Sequence, residues 1–61
     1  MTARIRRLVL HEITTAQLAI ARAVDLIGAE PNDAREGLGD AWEGLNDAED
    51  ILREQEEGDE A

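Results

Sequence analysis

Residues 33–53 read DAREGLG, DAWEGLN and DAEDILR, three consecutive heptads of one design. Ala34, Ala41 and Ala48 recur at one place and Leu38, Leu45 and Leu52 at another, so steps of four and three residues lay all six along one stripe of an α-helix. In heptad notation the leucines are a and the alanines d. The first half of the chain carries the same register with isoleucine for leucine: Ile13, Ile20 and Ile27 at a, and Val9, Ala16 and Ala23 at d. Two helices of matched layering and similar length follow, about 36 Å for residues 4–27 and about 33 Å for 33–54.

Gly28-Ala29-Glu30-Pro31-Asn32 separates them. Gly28 follows the last apolar residue, where a C′ glycine ends a helix, and Pro31 cannot continue one. Asp33 with Glu36 forms a capping box, and Asn32 offers an alternative cap. So short a connection makes the two helices antiparallel neighbours. Within the second helix Gly37, Gly39 and Gly44 each cost about 1 kcal/mol relative to alanine. Gly37 and Gly44 lie on the flank beside the alanine row, where a missing side chain admits another helix. Gly39 lies on the outer face, and Asp40 with Glu43 supplies a second capping box at which the stable helix could begin. From Glu54 onward apolar periodicity stops. The expected division is an antiparallel helical hairpin over 1–57 (helix 1 about 3–27, turn 28–32, helix 2 about 33–56) and a disordered acidic tail at 58–61.

A chain of 61 residues without cysteine has neither a disulfide framework nor a thiolate metal site, and a lone core of this size supplies roughly 3 to 5 kcal/mol at best. Helix 1 carries more apolar surface than one partner helix can cover: Ile5, Leu8, Leu10, Leu18, Val24 and Leu26 lie beyond its a and d stripe. At roughly 1.5 to 3 kcal/mol per fully buried aliphatic side chain, homodimerisation into an all-α four-helix bundle is the direct remedy. Folding against another protein would answer the same demand. The expected core and dimer residues are Val9, Ile13, Ala16, Ile20, Ala23, Ile27, Leu38, Ala41, Leu45, Ala48 and Leu52.

The net charge of −9 is unevenly spread: residues 1–24 carry +3 and residues 25–61 carry −12, and every cation is arginine. Such acidity repels nucleic acid and anionic lipid except at the N-terminal helix. In an antiparallel hairpin Arg4, Arg6 and Arg7 come to face Glu54, Glu56 and Glu57, which offsets the unfavourable placement of these charges on the helix dipoles. No stretch approaches the roughly 18 apolar residues of a membrane span, and His11 and Glu12 interrupt the apolar run that an export signal would need. A cytoplasmic location is expected.

No chemistry of catalysis is legible. The lone His11 has Leu8, not glutamate, three residues before it, so the di-iron ligand pair is missing, and the glycines of residues 28–39 lack the lysine and hydroxyl of a phosphate loop. No enzyme activity, cofactor or metal is expected. Two binding surfaces remain. Helix 2 presents Glu36, Asp40, Glu43, Asp47 and Asp50 as an acidic ridge, with Trp42 beside the core stripe as a candidate aromatic anchor, a set suited to a basic protein surface, including by imitation of nucleic acid. Helix 1 presents Arg4, Arg7, His11, Leu18 and Arg22 along one side as the alternative, a nucleic-acid-binding stripe.

The layout of residues 5–57, a short hairpin with alternating small and large layers and an acidic tail, resembles the Rop family of plasmid RNA-binding proteins. That likeness implies a hairpin dimer meeting RNA through helix 1, with Leu18 nearest to where such proteins carry an aromatic residue. The reading of the residues favours a small homodimeric binding or regulatory protein that engages a basic protein partner through helix 2, with RNA as the second possibility.

Overall fold

The computed structural model describes residues 1–60, apart from the side chains at 57, 59 and 60. They form two helices, α1 (Ala3–Ile27) and α2 (Asp33–Glu60), packed against each other as an antiparallel hairpin.

Each helix end has a local cause. At the start of α1 the extended Thr2 accepts a hydrogen bond on its hydroxyl from the Ile5 N–H (3.2 Å), satisfying one of the donors a helix leaves free. The residue 28 backbone turns to φ 65°, a conformation glycine adopts without the Cβ penalty, and its N–H donates to the Val24 carbonyl at 3.1 Å. Asn32, and not Asp33, caps α2: its side-chain oxygen accepts from the Ala34 N–H at 2.9 Å. Asp33 and Glu36 lie in the first turn, where the helix dipole favours acids. The second start at Asp40 is not used, because α2 runs unbroken through Gly39.

α2 extends to Glu60, past the end expected near Glu56. Residues 58–60, expected as part of a disordered acidic tail, therefore lie in helical backbone, while Ala61 lies outside the described residues. Once a helix is nucleated, each added residue gains a hydrogen bond at little further cost, and Leu52, buried four residues before Glu56, anchors this end.

The seam between the helices is thin. Its fully buried apolar residues are Ile13 (7% exposed) and Leu52 (8%), from near the middle of α1 and the second half of α2. Val9, Ala16, Ile20, Ala23, Ile27, Leu38, Leu45 and Ala48 are half-buried. Ala41, expected in the core, is exposed. Arg6, expected to meet acids at the surface, is only 3% exposed, because its position falls on the seam stripe of α1 with Ile13.

Two cross-helix contacts fix the register. The Gln17 Nε2 donates to Asn46 Oδ1 at 2.6 Å, and Arg7 Nε lies 4.0 Å from Glu56 Oε1. In both pairs the residue numbers add up to 63, so a residue of α1 lies level with the α2 residue that completes that total.

Candidate interaction surfaces

The heptads place the acids of α2 opposite its seam, and the structure leaves them there. Glu36, Asp40, Glu43, Asp47 and Asp50 are all exposed, spaced three or four residues apart along about 21 Å of helix. Among the described residues none of the five makes an ion pair within 4.0 Å. Their charge is thus unneutralised within the hairpin and free to act on a partner.

Trp42 does not join this ridge. It lies about a third of a turn round α2 from the ridge and is 37% exposed. There it lines an open groove of about 420 Å³ near the turn, with Ile20, Val24 and Leu38 as an apolar floor and Asp25 and Arg35 at the rim. No residue lining the groove is fully buried, so it is a shallow seat for part of a side chain and not a pocket enclosing a small molecule.

The residues of the arginine stripe, Arg4, Arg7, His11, Leu18 and Arg22, are likewise all exposed and share one side of α1. Arg7 already has an acid beside it in Glu56. The Thr14 and Thr15 hydroxyls on this side donate to the carbonyls of Leu10 and His11 (3.2 and 3.1 Å), closing on their own helix. Arg4 and Arg22 are the cations of the stripe that the hairpin leaves solvated. Of the acids expected to face the N-terminal arginines, Glu56 does so, and the side chain of Glu57 lies outside the described residues.

Gln17, Asn46 and Glu49 were not singled out by the sequence reading. Gln17 and Asn46 bridge the helices, and Glu49 accepts from Arg53 at 3.1 Å on the same helix. Spacing could have found the second, an i,i+4 pair, but the first depends on a cross-helix register that neither helix sets alone.

Among the described residues no group of histidine, aspartate and glutamate is gathered to hold a metal ion, and no helix is long and apolar enough to cross a membrane. Comparison with protein-family models, curated proteins and solved structures returns no match.

Proposed function

We propose that this chain is a small non-enzymatic binding or regulatory protein, homodimeric through its unpartnered apolar surface, that docks on a basic protein through the acidic ridge of α2. The observation that carries this reading is the row of five exposed carboxylates, from Glu36 to Asp50, that the hairpin does not neutralise. Such a row steers a cationic surface into contact and fixes its orientation. Along the ridge a carboxylate falls about every 5 Å.

Self-association has separate support. Ile5, Leu8, Leu18, Leu26 and Ile51 stand exposed on the hairpin, and among the described residues two apolar side chains, Ile13 and Leu52, are fully buried within it. A hairpin with so little interior gains most by sharing surface with another.

The test is retention of partners from a host extract by the immobilised chain, read by mass spectrometry and by RNA sequencing. Glu43→Gln, Asp47→Asn and Asp50→Asn together should abolish retention of a basic protein, while Arg4→Gln with Arg22→Gln leaves it intact. RNA retained by the acidic variant and lost from the arginine variant would overturn the reading in favour of the α1 stripe.

A further inference from the structure

The hairpin has two unlike broad sides. The side that carries Gln17, Asn46, Arg7, Arg35 and Arg53 holds the Trp42 groove among polar and charged groups, whereas the opposite side, reached by turning both helices the other way from the seam, carries fewer charged groups. It presents the heptad row Ile5, Glu12, Ala19 and Leu26 from α1 and Gly37, Gly44 and Ile51 from α2; Glu12 is the charged member of the α1 row, and Asp33 lies at the turn end of the α2 row. All six of these apolar residues are exposed, Leu26 at 89%. Nothing lies within 4 Å of where a Cβ on Gly37 or Gly44 would stand.

We propose that a second copy of this chain covers this side, its α1 lying antiparallel along α2 of the first, with the twofold axis parallel to the helices. The inference rests on the homodimer reading above and adds the surface and the order of the helices.

Three observations select that occupant and that order. The first is size. By the shared register Leu26 is level with Gly37, Ala19 with Gly44, and Ile5 with Gly58. A twofold axis parallel to the helices preserves level, so Leu26 and Ile5 of one copy come to lie over Gly37 and Gly58 of the other, Ala19 over Gly44, and Glu12 beside Ile51. Close packing of that kind needs a missing side chain at each such place.

The second is charge. The outer edge of α1 that borders this side carries Arg4 and Arg22, and the outer edge of α2 carries Asp40 and Asp47. In the proposed order each cationic edge runs beside the other copy's acidic edge, with Arg22 one step in level from Asp40. The other face-to-face order, with the axis across the helices, lays α2 on α2 and brings two acidic edges together between chains of net charge −9.

The third is area. A hairpin of Cα extents 47 by 15 Å offers on the order of 700 Å² on one broad side, close to the about 800 Å² per partner of a standard interface. The arrangement also leaves Glu43 and Asp50 turned away from the second copy, free for the ridge's own partner.

Cysteine cross-linking under mild oxidation, paired with sedimentation equilibrium, tests the proposal on the full chain. Mixing a Leu26→Cys chain with a Gly37→Cys chain should give a disulfide-linked heterodimer, while Ile5→Cys mixed with Leu26→Cys should give none. Gly44→Arg adds bulk where the hairpin has space and favours helix, so circular dichroism should stay helical while the dimer dissociation constant rises at least about tenfold. A dimer that cross-links Ile5→Cys to Leu26→Cys, or one indifferent to Gly44→Arg, would overturn the proposed order and leave self-association standing. A wild-type chain that sediments as a monomer would overturn both.

Discussion

Across the hairpin the Gln17 amide donates to the Asn46 side-chain oxygen at 2.6 Å, tying the middle of α1 to the middle of α2. A one-turn slip of either helix would break this contact and also separate Arg7 from Glu56. Both side chains of the amide pair reach water when apart, so the bond specifies register more than it stabilises. Asn46→Ala should lower unfolding free energy by less than about 1 kcal/mol in urea titration, and a double-mutant cycle with Gln17→Ala should return a coupling of comparable size. A coupling near zero would mean that the register is set elsewhere.

The apolar seam should carry far more. Leu52 is buried and Leu45 half-buried, so Leu52→Ala and Leu45→Ala should each cost roughly 2 to 5 kcal/mol, with Leu52 the larger. Either loss is enough to unfold a domain this small. Glu43→Ala, on the exposed ridge, should stay within about 0.5 kcal/mol. Equal effects at 43 and 45 would place the seam on the wrong face of α2.

Two glycines should respond in opposite directions. Gly39 lies inside α2 with nothing within 4 Å of where an added Cβ would stand, so Gly39→Ala should raise the thermal midpoint through helix propensity of up to about 1 kcal/mol. Gly28 sits at φ 65°, where a Cβ is strained, so Gly28→Ala should lower it. Stabilisation by both would contradict the turn geometry.

Salt should stabilise the assembled protein. Two chains of net charge −9 repel one another on association, and the screening length falls to about 10 Å near 0.1 M salt. The thermal midpoint should therefore rise between low and moderate ionic strength. A midpoint that fell would show attractive ion pairs outweighing the overall repulsion.

Much of this fold is written locally. The heptads of residues 33–53 name the face of α2 that meets α1, and Gly28 and Pro31 mark the break between the helices, because periodicity and backbone conformation act over a few residues. Asn32 against Asp33 as the cap turns on one residue of offset, which composition alone leaves open. The exposure of Ala41 and the burial of Arg6 depend on how two helices rotate against each other, and that follows from the whole seam. Trp42 shows the same limit at the candidate site. Its place beside the core stripe, and with it its separation from the acidic ridge, was legible, but its company with Ile20 and Val24 of α1 required both helices in place. The five ridge acids were legible in full, since exposure follows directly from lying opposite the seam.

The central claim is that the hairpin is half of an assembly, and the mass of the wild-type chain in solution tests it most directly. Sedimentation equilibrium at micromolar concentration should return about twice the chain mass of 6.7 kDa, declining toward the single-chain value only on dilution. A folded, helical species of single-chain mass at every concentration would contradict it.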